Sequence, residues 1–564
     1  MTRVDPIAEP RPASAAAVAR VSRLAGRVAW DDLALALFVV LLILALATVW
    51  DYGVTWDEDA QNWYGIAVLD YYLSGFADHS FMRLYDLFYY GSIFDATAAA
   101  LEHVSPFGTF ETRHLLNALV GIVGIVGTWK LGRALGGPRV GFIAALFLAL
   151  TPDYYGQMYN NPKDVPFAAS MAWALYYLVR AIPLLPRPDW RIVVKLGLAA
   201  GLALAVRVGG LLIFGYVGLT LLVLVLWQFA EDRRPAHAIR SASTCFGYVL
   251  LPALAVAYPV MLLFWPWAQQ SPVVNPIGAL IYFSHEIFPY RTLFAGRYVP
   301  AGDLPWEYLP TYIVLKLPEL VLALLAAAPM LALLHLRRVG AQIDRARAIG
   351  TFVLGFAIVF PVAYAVAIKA VLFDGMRHFI FVLPPIAVAA ALAAETALGA
   401  LAGSRLRPWV YGALALYGFV QVSVMALLHP DEYVYYNAFI GGTRGAQGLF
   451  QLDYWANSYA EDAGALAAYL RAEYGNDFVN HRFTVFVCGP PGSATAYFPP
   501  NVVFTPDRSK AEFAIAFTRD ACDKSVTGRP IYRVERMGTL LSVVLDRRAV
   551  LVHGPRRANA AGGG

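Results

Sequence analysis

Long apolar runs alternate with short polar segments along most of the chain. A helix needs about 20 apolar residues to cross the hydrocarbon core of a bilayer. We therefore predict about eleven membrane-spanning helices, with boundaries good to a few residues. The predicted spans are 33–50, 114–132, 139–152, 165–182, 192–206, 209–228, 243–264, 311–334, 350–370, 379–400 and 408–428. We divide the fifth from the sixth at Arg207–Gly210, because a Gly pair interrupts a long helix.

Basic residues in the short connections predict the orientation of these spans. Lys and Arg are concentrated in the leader, residues 1–32, and in the short turns on one side, which is typical of the cytoplasmic side. The other side then receives the connecting segments and the tail. Those outer parts are 51–113, 153–164, 265–310, 371–378 and 429–564. No short apolar region with a small-residue cleavage site begins the chain, so we interpret the first run as a retained span.

Two outer parts carry patterns of their own. Residues 60–103 place apolar and aromatic side chains at helical intervals but are too polar to span, which predicts helices on the membrane surface. In the tail, a helix is predicted at 460–474 and strands are predicted by alternation. The predicted strands are 483–488, 513–517, 531–536 and 540–545.

These elements predict the fold class and the domains. We expect a polytopic α-helical membrane protein with a small C-terminal α/β extracytoplasmic domain. The domains would be a cytoplasmic leader (1–32), a membrane domain (33–428) and the α/β domain (429–564).

Composition supports a membrane protein. Hydrophobic residues make up 59% of the 564 residues and charged residues only 15%, with a mean hydropathy of +0.54. Soluble chains carry about one-quarter charged residues. The net charge of +5 is spread over short loops, so it indicates topology and predicts no nucleic-acid partner.

The three cysteines are Cys245, Cys488 and Cys522, and their spacing is not that of a metal site. Cys245 begins a predicted span and is interpreted as an apolar filler. Cys488 and Cys522 both lie in the tail. A disulfide between them requires an oxidising compartment, and the sequence leaves open whether it forms.

Three consecutive carboxylates lie just past the first predicted span. They are Asp57, Glu58 and Asp59, preceded by Trp56. Further polar residues predicted on the same side are Tyr155, Asn161, Lys163, Asp164, Arg377 and His378. Ionisable groups at membrane depth are costly, so they are candidates for function. Their shared side of the membrane supports this interpretation more strongly than any single motif.

Acids, cations and aromatic rings on one side suit transfer of a sugar from a lipid-linked phosphate. A carboxylate can act as general base, cations can hold a phosphate, and rings can stack on a sugar. The candidates for proton transfer are Asp57, Glu58 and Asp164. The candidates for binding the donor phosphate are Lys163, Arg377 and His378. The candidates for acceptor or sugar contacts are Trp56, Asp59, Tyr155 and Asn161. A base and a phosphate clamp on opposite sides of the anomeric carbon predict inversion.

Other interpretations stay open. The acidic run is also typical of a solvated loop. Arg377 and His378 are also typical of side chains that extend from a helix end toward the membrane surface. The loop aromatics also suit anchors at the membrane interface. At the level of function, the alternatives are a transporter or flippase of a lipid-linked sugar and a non-catalytic scaffold. A transporter needs access from both faces, whereas the polar candidates crowd one side and no inverted repeat is visible.

Several motifs resemble GT-C membrane glycosyltransferases, and most closely the protein O-mannosyltransferase-like branch with its bacterial relatives. WDE after the first span resembles that branch's first-loop motif. ETRHLLNALVGIVGIVGTWKLGRALGG is similar to its second span, with Arg113 in the place of the family's arginine. TPDYYGQMYNNPKDVPFA, MRHFIFVLPP and the start of the tail are also similar. The resemblance covers roughly residues 30–460 and includes the eleven-span count.

The resemblance implies an enzyme of a bacterial cytoplasmic membrane that uses a polyprenyl-phosphate-linked sugar and an extracytoplasmic glycolipid, glycan or protein acceptor. It places the catalytic acid on Asp57 with Glu58 beside it, and a second acid on Asp164, for which Asp153 competes. It places phosphate binding on Arg377 and Lys163. His378 stands where bacterial relatives often have Tyr, so its contact with phosphate or a metal stays open. Some relatives bind a divalent metal, although no tight ligand cluster here requires one.

Overall fold

The computed structural model describes residues 15–285, 290–339 and 344–553. The first part of the predicted leader, residues 1–14, lies outside them. The helices from the N-terminus to residue 428 are α1 (Ala15–Thr48), α2 (Trp56–Leu73), α3 (Ile93–Glu102), α4 (Thr109–Gly136), α5 (Pro138–Ala149), α6 (Pro152–Asn160), α7 (Asp164–Ala181), α8 (Trp190–Leu204), α9 (Leu212–Asp232), α10 (Pro235–Cys245), α11 (Leu251–Leu263), α12 (Pro266–Gln270), α13 (Val274–His285), α14 (Tyr308–Lys316), α15 (Glu319–Val339), α16 (Arg345–Ala367), α17 (Leu383–Ala400) and α18 (Arg407–Leu428).

The helices confirm a multi-pass membrane protein of mostly helical fold. Within the described residues, eight helical segments are long and apolar enough to cross a membrane. The pair α14–α15 makes a ninth if its 115° bend lies within one span. Each of the eleven predicted spans lies over helical residues, but the eighth falls on the bent pair α14–α15, and α5 and α8 have only 12 and 15 residues. Both are shorter than a helix that crosses a bilayer upright.

Small residues allow the central helices to pack closely. A Cβ at Gly124 of α4 would collide with the Tyr154 hydroxyl of α6, and one at Gly121 would press on Met158. Close approach of backbones is a main source of attraction between helices in lipid. Helix α17 lies inside this core, because 78% of its most apolar stretch is buried within the protein. In α18, only 11% of the corresponding stretch is buried. Helix α18 therefore lies at the periphery.

The predicted break between the fifth and sixth spans is confirmed. Helix α8 ends at Leu204, a single turn spans Val208–Leu211, and α9 begins at Leu212. The outer segment packs on this break, because the backbone N–H of Ile93 donates to the Ala205 carbonyl at 3.4 Å. The break therefore brings Arg207 beside the outer segment.

Helices also form in the outer segment 60–103, as its pattern predicts. Helices α2 and α3 are joined by short turns, and their buried core contains Tyr64, Val68, Tyr71 and Phe81. A second outer element is the antiparallel hairpin of β1 (Arg291–Phe294) and β2 (Arg297–Pro300).

The tail folds as the predicted α/β domain. Its helices are α19 (Gly442–Ala446), α20 (Tyr459–Tyr474), α21 (Pro491–Thr495), α22 (Cys522–Ser525) and α23 (Arg548–His553). Its strands are β3 (Phe483–Cys488), β4 (Val502–Phe504), β5 (Phe513–Phe517), β6 (Arg529–Arg536) and β7 (Thr539–Asp546). The sheet order is β4-β3-β5-β7-β6, in which β4 and β5 run parallel to β3 and β7 runs antiparallel to both β5 and β6.

The structure resolves the open question about the tail cysteines. Cys488 at the end of β3 is disulfide-bonded to Cys522 at the start of α22. Cys245 is buried and free, in agreement with its interpretation as a filler. The disulfide ties the turn after β5 to the neighbouring strand.

Candidate active site

The first turn of α2 carries the acidic run, and a capping box fixes its geometry. Thr55 is the extended N-cap residue (φ −81°, ψ 163°), and the Glu58 carboxylate accepts from its backbone N–H at 2.9 Å. A capping box satisfies backbone donors at a helix start, where acidic side chains are also favoured. Successive helical residues point about 100° apart, so the three carboxylates face different surroundings.

Glu58 faces the interior. Its side chain is 1% exposed and lies 3.1 Å from Nε2 of His114 on α4. With Thr55 at its other side, Glu58 holds α2 against α4. The structure therefore places this candidate behind the acidic run as a support.

Asp57 faces a cationic partner. Its Oδ2 lies 2.6 Å from Nη1 of Arg377, which begins the turn before α17. The Asp57 side chain is 33% exposed, whereas that of Arg377 is 7% exposed and packs against the rings of Phe373 and Trp455. The predicted base and the predicted phosphate-binding cation are thus in direct contact, and the acid remains open to solvent.

The contact extends into the C-terminal domain. Nη2 of Arg377 lies 3.6 Å from Asp374, whose other carboxylate oxygen lies 3.0 Å from Nη2 of Arg519. Arg519 also lies 5.1 Å from the ring of Trp56. We call the alternating series Asp57–Arg377–Asp374–Arg519 the charge ladder.

A second cationic group lies beside the ladder at the start of α7. Nη2 of Arg207 is 2.7 Å from Asp164, and the Asn161 amide also donates to Asp164, at 3.0 Å. Lys163 lies between this group and the ladder, with its ammonium 4.6 Å from the ring of Tyr90. Within the described residues, Lys163 has no carboxylate within 4.0 Å.

Electrostatics keep the two ends of the site in opposite charge states. Burial alone would raise the pKa of the Asp57 carboxyl. Arg377 and Lys163 lower it by more than burial raises it, so the pKa falls to about 2. Burial lowers the pKa of the Lys163 ammonium, while Asp57 raises it and Arg207 lowers it. Asp57 is therefore an anion throughout the physiological range. Of the two cations Lys163 and Arg377, Lys163 loses its proton more easily, because burial disfavours its charged form.

The remaining predicted residues lie in several places. Trp56 packs between the membrane core and the C-terminal domain, and Asp59 is exposed, where it approaches Gly492 of α21. His378 packs edge-to-face on Phe373 with ring centroids 4.8 Å apart. Tyr155 instead shares a 3.1 Å hydrogen bond with Tyr159 in the aromatic core.

The structure separates the two acids that compete for the second catalytic position. Asp153 lies 3.9 Å from Lys316, and both side chains are 2% exposed. Asp164 lies with Arg207 beside Lys163. Asp164 is therefore the acid next to the ladder, and Asp153 belongs to the core.

Sequence reasoning gave no role to Arg207 or Arg519 in the site, or to Lys316 in the core. Arg207 carried a signal, as a lone cation inside an apolar stretch. Arg519 and Lys316 carried none, because each meets its partner across a long stretch of chain. Arg113, expected at a family position, is fully buried and lies 2.6 Å from Asp95 of α3. It therefore fixes α3 on α4.

No group of three or more His, Cys, Asp or Glu side chains is placed to hold a metal ion in the parts of the chain that the structure describes. Near the ladder, a cavity of about 200 Å³ opens between the β1–β2 hairpin and the C-terminal domain, and Arg519 forms part of its wall.

Residues 107–265 match the family model described as dolichyl-phosphate-mannose-protein mannosyltransferase. The chain matches no protein with a curated description.

Three solved structures illustrate what this chain is similar to at low identity. ArnT from Cupriavidus metallidurans, bound to undecaprenyl phosphate, is 14% identical, with 92% of this chain and 98% of that chain covered and a TM-score of 0.46. The oligosaccharyltransferase AglB of Archaeoglobus fulgidus, with an inhibitory peptide and a dolichol-phosphate, is 12% identical, with 86% and 69% covered and a TM-score of 0.43. The arabinofuranosyltransferase AftD from Mycobacteria is 13% identical, with 80% and 34% covered and a TM-score of 0.35.

The family match lies over the second to seventh predicted spans and includes Arg113, Lys163, Asp164 and Arg207. For this segment, it confirms the resemblance to protein mannosyltransferases that the motifs indicate.

Proposed function

We propose that the chain is an inverting glycosyltransferase that moves a sugar from a polyprenyl-phosphate donor to an extracytoplasmic acceptor. The observation that carries the proposal is the contact between Asp57, which is partly exposed, and Arg377, with Lys163 close by. The base can take the proton of the acceptor, and the two cations can bind the phosphate of the donor. The matched family segment supports the same chemistry.

The reaction follows from this arrangement. An acceptor hydroxyl attacks the anomeric carbon while Asp57 takes its proton. The bond between that carbon and the phosphate oxygen breaks, and its electron pair leaves with polyprenyl phosphate. Arg377 and Lys163 stabilise the negative charge that grows on the phosphate. Attack from the face opposite the leaving group inverts the anomeric centre.

Arg377 links binding to catalysis. A guanidinium has five N–H donors, so Arg377 can contact a phosphate and a carboxylate together. A bound donor phosphate would share Arg377 with Asp57, so Arg377 would stabilise the Asp57 carboxylate less strongly. The pKa of Asp57 would then rise from about 2, which makes it a better proton acceptor once the donor is bound.

The other candidates have supporting roles in the proposal. Glu58 fixes the first turn of α2, and Asp164 holds Arg207 beside Lys163. His378 offers a neutral contact at the phosphate, because burial and the nearby Arg377, Arg207 and Lys163 lower the pKa of its ring. Trp56 and Asp59 remain the candidates for sugar and acceptor contacts, whereas Tyr155 lies in the aromatic core and Asn161 holds Asp164.

The disulfide supports the proposed orientation. Disulfides persist in oxidising compartments, so the Cys488–Cys522 bond favours an extracytoplasmic C-terminal domain. The ladder joins this domain to Asp57, so the site would open on the same side. We place the protein in a bacterial inner membrane with a cytoplasmic N-terminus, in line with the Lys and Arg distribution.

Incubation of the purified protein with polyprenyl-phosphate sugars and an envelope extract tests the function. The expected result is release of free polyprenyl phosphate and transfer of the sugar, both lost in Asp57→Asn. Movement of intact donor across proteoliposomes without release would support a flippase instead. No release from any donor of a panel with mannose, aminoarabinose and galacturonic acid would contradict the proposal.

Labelling with a membrane-impermeant thiol reagent tests the sidedness. Asp59→Cys places a thiol at an exposed position beside the site, and Arg405→Cys is the matched position in a predicted cytoplasmic turn. In intact spheroplasts, the thiol at 59 should react and the thiol at 405 should react only after lysis. The reverse pattern would place the site inside the cell and remove the proposed acceptor side.

A further inference from the structure

Arg519 is the one member of the charge ladder that the C-terminal domain contributes. It lies in the turn after β5, with a side chain only 8% exposed. Its guanidinium lies 3.0 Å from Asp374 and donates to the Tyr454 carbonyl at 2.7 Å. The Cys522 disulfide holds the same turn three residues later. Arg519 is therefore fixed in place, although its domain is distant in sequence from Asp57.

Two carboxylates compete for Arg377. Asp57 lies 2.6 Å from one of its nitrogens and Asp374 lies 3.6 Å from another. The Asp374 side chain is 4% exposed, so its charge cannot be screened by water and requires a close cation. Arg519 supplies that cation at the shorter distance, and so limits the share of Arg377 that Asp374 takes.

We propose that Arg519 is a positioning residue for the sugar transfer, because by neutralising Asp374 it keeps Arg377 available to Asp57 and to the donor phosphate. This inference rests on the proposed function. It makes the C-terminal domain part of the active site. The contact of Arg519 with Trp56, next to Asp57, gives the domain a second hold on the same turn.

Loss of Arg519 makes donor binding depend on pH. The groups that face Asp374 are Arg377, Arg519 and Asp57, with the phenols of Tyr308, Tyr312 and Tyr454. Burial already raises the pKa of Asp374, and removal of its nearest cation raises it further. Below that pKa the carboxyl is neutral and leaves Arg377 free. Above it, the carboxylate draws Arg377 away, so the KM for donor rises with pH.

The test measures the KM for a polyprenyl-phosphate sugar at about pH 5 and about pH 8. For Arg519→Ala, the KM for donor should be about tenfold higher at the higher pH than at the lower pH. For the wild type and the exposed control Arg533→Ala, the KM should be the same at both pH values. Arg519→Lys retains a charge and should recover most of the difference. The double variant Arg519→Ala/Asp374→Asn removes the competing carboxylate and should restore a level KM.

Equal KM values for Arg519→Ala and Arg533→Ala at both pH values would overturn the inference. So would a double variant that is folded and still has a raised KM. The double variant buries no unpaired charge, so its folding would assign any unfolding of Arg519→Ala to the uncompensated Asp374 carboxylate; in that case Arg519→Gln, which keeps most of the side chain, replaces Arg519→Ala in the comparison. Failure of the proposed function is distinguishable, because the wild type would then release no polyprenyl phosphate.

Discussion

Two of the acid–cation pairs in this protein differ in their access to solvent, one being partly open and the other closed. Asp57 and Arg377 are 2.6 Å apart, and Asp57 is one-third exposed. Asp153 and Lys316 are 3.9 Å apart, and both side chains are 2% exposed. An open pair can exchange a partner with a substrate, whereas a closed pair can act only on the fold. Access therefore distinguishes the candidate site from a charged core contact.

The closed pair lies at the bend between α14 and α15. Lys316 donates to the Tyr433 carbonyl at 2.6 Å and lies 4.2 Å from the ring of Tyr436. Among the described residues, the charged partner of Asp153 is Lys316, and the Gln157 side chain also lies beside the carboxylate. Lys316 thus ties the bent helices to the segment that leads into the C-terminal domain.

The largest expected effect is on turnover, from the open pair. Asp57→Asn should lower kcat about a thousandfold, because it removes the proton acceptor and leaves the shape of the side chain. Release of polyprenyl phosphate measures it, with a thermal unfolding curve to show that the variant is folded. Asp153→Asn is the matched control, and its folded fraction should turn over at nearly the wild-type rate. An equal loss of kcat in Asp57→Asn and Asp153→Asn would contradict the distinction between an open catalytic pair and a closed structural pair.

The closed pair should instead govern stability. Lys316→Met leaves Asp153 buried without its cation, at a cost of about 3 kcal/mol. A lower unfolding temperature in detergent would report it. The double variant Lys316→Met/Asp153→Leu should be more stable than the single variant, because no buried charge is left unpaired. A single variant of wild-type stability would mean that the pair carries no structural role.

A smaller effect is expected at Lys163. Lys163→Ala removes a cation from the proposed phosphate site and should raise the KM for donor about tenfold with a smaller change in kcat. Lys195→Ala, at an exposed position on α8, is the control. An unchanged KM would remove Lys163 from donor binding.

The smallest expected effect is a shift in pH dependence. The pKa of Asp57 is lowered to about 2, so the carboxylate form persists well below neutral pH. The value of kcat/KM should therefore show no acid limb down to about pH 4, where the folded protein can be assayed. Lys163→Ala removes one of the cations that lower this pKa and should move the limb upward. A wild-type limb near neutral pH would assign the base to another group.

Local patterns predicted much of this architecture. The strands 483–488 and 513–517 match β3 and β5, because alternation and chain length are both local properties. The break near Arg207 followed from a Gly pair in an apolar run. The meeting of Asp57 with Arg377 followed from their shared predicted side of the membrane, although that side itself stays a prediction.

Contacts between distant parts of the chain could not be predicted. Arg519 lies in an ordinary polar turn, and only the packing of the C-terminal domain brings it to Asp374. The choice between Asp153 and Asp164 also depended on which cation each meets in space. Strand β4 has three residues, too few to show alternation.

Equilibrium binding of a polyprenyl phosphate without sugar is the most direct test of a shared pocket for base and phosphate clamp. Asp57→Asn should bind it at least as tightly as the wild type, because Arg377 loses a competing carboxylate, and yet fail to turn over donor. Arg377→Gln should bind it at least about tenfold more weakly. Loss of binding in Asp57→Asn together with retained binding in a folded Arg377→Gln would contradict the assignment of both residues.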